Sequence, residues 1–327
     1  MTHSRTRGPV GATRVRLAAL LVALSLLASA CVNLGAFNAS ELGPAVSDVD
    51  LSGTTLVVGS KEFTEQLILG QIAGQALTAA GAEVTDESGL VGTFLVRESL
   101  EAGAIDMYWE YTGTGWLTIL GHVTPIDDEY KQWKAVHDED LETNGVWWFP
   151  PADLNNSYGF ALKESEARQQ GVTSIGDISK VPQSELSLCA AAEFLSRTDG
   201  LPGVEQAYGF SFPDSQISEL DYGLIYPTIG TVCTYGEIFT TDGRILTEDL
   251  YVLEDTQSFF PRYNAALTMR DETYQAEKDQ FDKLFKPIID NLDNETMIEL
   301  NALIDVDGRP EEDVAHDFLV SIGVLAE

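Results

Sequence analysis

Basic residues are scarce in this chain. Nineteen lysines and arginines stand against 52 aspartates and glutamates in 327 residues, a formal charge of −33. A nucleic-acid partner needs a basic face to meet its phosphates, so that class is excluded. The same deficit argues against direct adhesion to an anionic lipid surface. Histidines number four and cysteines three. His122, His137 and His316 are scattered and His3 lies in the N-terminal segment. No Cys-x-x-Cys or Cys/His spacing suggests a metal. The stretch "DVDG" (305–308) lacks the third acid and the downstream glutamate of a calcium loop and reads as a turn before a helix. There is no phosphate loop, no nucleophile–base constellation and no internal repeat. An enzyme acting on a small amine would need a positioned acid–base pair, and only Glu193 offers itself. A surface adhesin would need repeats or an exposed apolar patch. No cofactor is expected.

Long apolar runs are absent too, apart from "LAALLVALSLLASA" (17–30). Arg5, Arg7, Arg14 and Arg16 precede it, and it is short for a membrane span. Residues 1–30 therefore read as a secretory signal. Small residues before Cys31 suggest lipoprotein processing, with Cys31 lipidated after cleavage. The usual leucine three places before the cysteine is Ala28 here. Residues 31–52 have no sustained period and read as a tether. With the signal removed, 15 basic residues face 52 acids, a net −37. Cys189 and Cys233 form an even pair, which in an exported protein permits one disulfide; two buried free thiols are the alternative.

What remains is an α/β pattern. "TLVVGS" (55–60) reads as a buried strand, and "TEQLILGQIAGQALTAAG" carries apolar residues at helical spacing. "AEVTDES", "GTFLVRESLEAG" and "AIDMYWEY" continue as strand, helix, strand, predicting a mostly parallel sheet. "VWWFPPADLNNSYGFAL" breaks the rhythm and predicts a crossing into a second lobe. "YVLEDTQSFFPRYNAALTM" resumes strand character and crosses back, and the tail is helical. The expected organisation is lobe I from 53–154 and 256–327, and lobe II from 155–255. Two lobes joined by two crossovers can close on a ligand by hinge motion. The crevice would lie at the strand ends.

Several polar and aromatic residues fall just after strands or near the crossovers: Lys61, Tyr111, Thr114, Asn156, Tyr158, Glu193, Arg197, Phe239 and Tyr263. Taken singly, each aromatic is core more often than ligand contact, and a lone arginine is usually a structural ion pair. Together they describe four rings and two cations. Rings attract a poorly hydrated cation such as a quaternary ammonium. Lys61 and Arg197 would hold a carboxylate at its other end. In "DMYWEYTGTGW" (106–116), Met107, Trp109 and Trp116 read as packing, Tyr111 and Thr114 as pocket. Gly113 and Gly115 would turn the backbone beneath a ligand.

The ordered set "GSKEFTEQLILGQ", "DMYWEYTGTGW", "NNSYGFAL", "EFLSRTDGLPGV", "YGEIFTTDGRI", "FFPRY" and "VDGRPEEDVAHDFL" resembles the substrate-binding proteins of osmoprotectant ABC transporters. That family binds glycine betaine, proline betaine, carnitine or choline. The resemblance runs from about residue 54 to the C-terminus. It implies a two-lobed periplasmic-binding-protein fold, type II-like, with an aromatic cage between the lobes. By motif the cage is Tyr111, Tyr158, Phe239 and Tyr263, with polar contacts from Lys61, Thr114 and Arg197. Phe239 stands where tyrosine is usual, and Asn156 where some members carry an acid. The implied function is an extracytoplasmic, lipid-anchored, monomeric solute-binding protein. It would capture glycine betaine or a related quaternary ammonium for a permease driven by a separate ATPase subunit. The alternative is choline- or ergothioneine-type cargo on the same fold.

Overall fold

A computed structural model describes Met1, Phe37 and residues 40–327. The signal-peptide segment beyond Met1 and the lipidation candidate Cys31 lie outside the described residues.

Two five-stranded sheets organise the described chain. The first is ordered β2-β1-β3-β10-β4. Its strands are β1 (Thr55–Lys61), β2 (Glu83–Leu90), β3 (Met107–Tyr111), β4 (Val146–Trp148) and, from far along the chain, β10 (Ala265–Arg270). The second is ordered β7-β6-β8-β5-β9. It is built from β5 (Tyr158–Lys163), β6 (Leu188–Ala190), β7 (Ile217–Glu219), β8 (Tyr235–Phe239) and β9 (Leu250–Val252). The two orders repeat one pattern. Three parallel strands (β2, β1, β3; β7, β6, β8) are followed by a strand that arrives over a crossover and runs antiparallel. The sheets are therefore mixed, where strand–helix alternation alone predicted mostly parallel. A chain entering from the other lobe comes from the opposite end of the sheet, so β5 and β10 must run against their neighbours.

The first strand is apolar because both faces are covered. Leu56 and Val58 are buried, and helix Thr64–Ala79 lays Ile68, Leu69, Ile72, Ala73, Ala76 and Leu77 on the sheet, all without solvent exposure. Helices Lys278–Asp290, Asn294–Asp305 and Glu311–Ser321 complete this lobe from the C-terminal end of the chain. Burial of these side chains, at about 1.5–3 kcal/mol for each leucine, isoleucine or valine and less for each alanine, is the main force holding the layers together.

Two expectations need correction. Residues 40–52 do not behave as a free tether. Val46, Val49 and Leu51 are buried, Gly43 and Ala45 donate backbone hydrogen bonds to Val324 and Gly323 at 2.8 and 3.0 Å, and the ring of Phe37 lies against Gly74. The segment has no helical or strand period because it forms neither element, and it is anchored through isolated apolar residues. Gly113 and Gly115 are small for a different reason than proximity to a ligand. A Cβ on Gly113 would stand 2.7 Å from the Arg262 carbonyl, and one on Gly115 would stand 2.6 Å from the Trp148 ring. Both admit neighbouring protein.

The two crossovers lie side by side. Asn155 and Asn264 form an antiparallel bridge. Asn156 N–H donates to the Tyr263 carbonyl at 3.2 Å, and Tyr263 N–H donates to Asn155 Oδ1 at 2.7 Å. Cys189 and Cys233 are joined by a disulfide that ties β6 to the turn before β8. Among the described residues, no helix is long and apolar enough to cross a membrane.

Candidate functional site

Strand ends converge between the sheets. Lys61 closes β1, Tyr111 closes β3, Tyr158 opens β5 and Phe239 closes β8. Thr114 ends the short helix Thr112–Thr114 after β3, which runs on into the π-helical turn Gly115–Ile119, and Arg197 follows helix Ala192–Ser196, itself just after β6. Asn156 and Tyr263 come from the crossovers. All eight line one cavity, with Glu62, Phe63, Glu193 and Tyr222. Its free volume is about 20 Å³, room for a water molecule or two. The lobes are thus described in a closed arrangement.

Register explains the ring placement. Tyr158 pairs directly with Phe239 across β5 and β8, and their rings are 5.4 Å apart. Tyr263 meets Tyr158 edge-on at 5.6 Å. Phe63 is stacked on Phe239 at 4.9 Å and on Tyr111 at 6.3 Å. Tyr222 lies 4.9 Å from Phe239. Burial pushes the phenols of Tyr111, Tyr158, Tyr222 and Tyr263 well above their ordinary value, so they stay neutral.

The two cations are already partnered. Lys61 Nζ donates to Glu110 Oε1 at 2.7 Å and to Thr93 Oγ1 at 2.9 Å. Arg197 grips Asp199 with two nitrogens, donates to Glu193 at 2.7 Å and reaches Thr114 Oγ1 at 3.4 Å. Glu193 also accepts from the Thr93 hydroxyl at 2.6 Å, which joins the lobes. Burial would raise the Glu193 pKa, but the charges of Lys61 and Arg197 outweigh it and hold the carboxyl at about 2. An ammonium has three N–H donors and a guanidinium five, so each of these cations keeps one hydrogen free. Lys61 Nζ sits 5.5 Å from the Tyr111 ring centre and Arg197 Cζ 5.5 Å from that of Tyr158.

Asn156 is an amide with an acid behind it. Glu65 is buried and accepts hydrogen bonds from Asn156 Nδ2 at 3.0 Å, the Tyr111 hydroxyl at 2.7 Å and the Thr241 hydroxyl at 2.6 Å. Burial raises its pKa against these bonds. Asn156 Oδ1 is buried with no partner. A second buried acid, Glu237 on β8, is pushed up to about 8 by burial, opposed by a bond from Ala191 N–H.

Sequence reasoning missed Phe63 and Tyr222. Phe63 sits inside the quoted "GSKEFTEQ" motif, two residues past Lys61. Tyr222 follows the short strand β7, a placement the aromatic-after-strand rule would have flagged. Glu65 lay hidden because a glutamate in the first turn of a helix reads as a response to the helix dipole.

Two α/β lobes, two adjacent crossovers and a narrow cavity between strand ends define a bilobal solute-binding protein. Comparison with known proteins specifies the class further. Residues 54–321 match the family described as the substrate-binding domain of ABC-type glycine betaine transport systems. A glycine-betaine-binding protein of Pseudomonas aeruginosa is 37% identical over 274 residues, spanning 81% of this chain and 87% of that one. The glycine betaine-binding protein YehZ of Escherichia coli is 33% identical over 281 residues, spanning 81% and 90%. The solved structure of apo YehZ from E. coli superposes with a TM-score of 0.60 at 29% identity, covering 83% of this chain and 99% of that one. This chain belongs to the family of substrate-binding domains of ABC-type glycine betaine importers. Members of that family bind small ligands, work with a permease and act outside the cytoplasm.

Proposed function

We propose that this protein captures a quaternary ammonium osmoprotectant, glycine betaine first, and delivers it to its permease. The observation that carries the reading is the narrow cavity between the lobes walled by Phe63, Tyr111, Tyr158, Tyr222, Phe239 and Tyr263. Neighbouring charge favours a cation: Lys61 and Arg197 are offset by Glu110, Glu193 and Asp199. Each desolvated ring contact with a methylated ammonium contributes roughly 0.5–2 kcal/mol. The N–H groups left free on Lys61 and Arg197 suit a carboxylate. Thr114 helps to hold Arg197 in place, and Asn156 helps to hold Tyr111 through their shared partner Glu65. The chain is anchored by a lipid on Cys31 and works as a monomer.

Choline-type cargo is the second reading. The charges of Lys61 and Arg197 are already neutralised, and the unpartnered Asn156 Oδ1 suits a ligand hydroxyl, which glycine betaine lacks. A thermal-shift screen with glycine betaine, proline betaine, carnitine, choline, ergothioneine and ordinary amino acids decides between them, because stabilisation follows occupancy of the native state. Shifts with ordinary amino acids alone would sink the quaternary-ammonium reading. Calorimetric affinity should fall at least about tenfold in Tyr111→Ala and in Tyr158→Ala, the loss of about 1.4 kcal/mol. Unchanged affinity in both would remove the cage.

A further inference from the structure

Phe63 and Tyr222 each line three separate spaces, and of the two only Phe63 belongs to the first lobe. Both face the cavity of about 20 Å³, an inner void of about 10 Å³ beside Glu65 and Thr241, and a wide mouth of about 740 Å³ toward Val91 and Leu224. The Phe63 backbone is fixed at the start of helix Thr64–Ala79, where its carbonyl accepts from Gln66 N–H at 2.9 Å and Leu67 N–H at 3.1 Å. From that anchor on the first lobe the ring enters the second lobe's aromatic layer. It is near-parallel to Phe239 (30°) and to Tyr111 (19°), and tilted 60° to Tyr222. Apart from Tyr222, the remaining aromatic walls are set by strand register or by buried hydrogen bonds. Tyr158 and Phe239 are paired residues of adjacent strands, Tyr111 is held by Glu65 and Tyr263 by Asp199. Phe63 and Tyr222 have no such tie on their rings and are only partly buried; Phe63 alone of the two reaches across from the first lobe, so it is the wall whose size the closed lobes most directly feel.

We propose that Phe63 is the size-determining residue of the site: its ring fixes how bulky an ammonium head the closed lobes accept. Resting on the quaternary-ammonium reading above, this inference adds that selection among such ligands works by exclusion. Shortening Phe63 merges the cavity with its neighbouring spaces, and larger heads gain while small ones lose a ring.

Calorimetry of the full chain with tetramethylammonium and tetraethylammonium tests this, since the two differ only in head bulk. Wild type should prefer the smaller ion by about tenfold or more, the discrimination a single methylene can give in a fitted pocket. Phe63→Ala should move that ratio toward the larger ion by at least about fivefold. Phe63→Leu, which keeps an apolar side chain without the flat ring, should move it at least about threefold, and it decides the matter if the alanine variant fails to fold. Smaller shifts with binding retained overturn the size role and leave the ligand class standing. If wild type binds neither ion nor glycine betaine, the ligand class itself is wrong and the inference falls with it.

Discussion

The Tyr111 hydroxyl donates to Glu65 Oε1 at 2.7 Å, which ties a cavity ring to a buried carboxyl that also bonds across the lobes. Thr241, from the second lobe, donates to the other oxygen at 2.6 Å, and Asn301 Nδ2 reaches it at 3.4 Å. Glu65 is thus a clasp of the closed state and an orienter of the ring. Glu65→Gln keeps the shape and one acceptor but loses the charge-assisted bonds, a difference of about 1–1.5 kcal/mol. Ligand affinity should fall about tenfold, and small-angle scattering should show a more open ligand-bound ensemble. Affinity and scattering equal to wild type would mean that Glu65 only fills space. Glu65→Ala strands several buried donors and should lower stability by at least about 2 kcal/mol, measured by denaturant unfolding.

Arg197 gives a second test, and its pairing alters the expected result. Removing it by Arg197→Ala leaves Asp199 and Glu193 without their cation. Buried as Asp199 is, the loss should cost about 3–5 kcal/mol of stability and weaken every ligand. Arg197→Lys keeps the charge and removes the fork. If Arg197 uses its free N–H on a ligand carboxylate, the lysine variant should lose more affinity for glycine betaine than for choline by calorimetry. Equal losses would assign Arg197 to the protein's own acids alone.

Glu237 sets a pH dependence. Its pKa is raised by burial from 4.5 to about 8. A raised acid binds its proton more tightly when folded, so its contribution is complete below about 4.5 and is lost as pH rises through about 8. Glu237→Gln cannot ionise, and its amide oxygen can still accept from Ala191 N–H. Unfolding free energies of wild type and variant should run together near about pH 5 and separate by a few kcal/mol above about pH 8, wild type lower. Parallel curves across that range would show that Glu237 titrates normally.

The Cys189–Cys233 disulfide closes a loop of 44 residues. A cross-link of that span restricts the unfolded chain by about 4 kcal/mol in the loop-entropy account. Reductant, or the double substitution Cys189→Ser and Cys233→Ser, should lower the melting temperature of the second lobe. Neither should abolish ligand binding, because both cysteines pack outside the cavity. A melt insensitive to reductant would mean that the pair is not oxidised in the folded protein.

Much of this was legible along the chain. The strands at 55–61 and 107–111 and the helix at 64–79 announce themselves through apolar periodicity, and the eight residues chosen by motif line one cavity. Residues 40–52 were misread because scattered apolar residues carry no period. The antiparallel course of β5 and β10 was missed because strand direction depends on which lobe the chain arrives from, which alternation does not encode. Lys61 and Arg197 looked free for a ligand because their partners Glu110 and Asp199 are acids in an acid-rich chain, where no single one stands out.

By itself, the sequence determined the two-lobe plan and the presence of rings and cations at strand ends. Local pattern and hydrophobic spacing are properties of neighbouring residues, and they survive in one dimension. Only the tertiary structure decided how those groups share their charge. It set Lys61 against Glu110 and Arg197 against Asp199 and Glu193, placed Glu65 behind Asn156 and brought Phe63 into the opposite lobe's aromatic layer. Electrostatics and cavity size depend on distances of a few ångströms between residues tens to hundreds of positions apart, and closure of the lobes is what creates those distances.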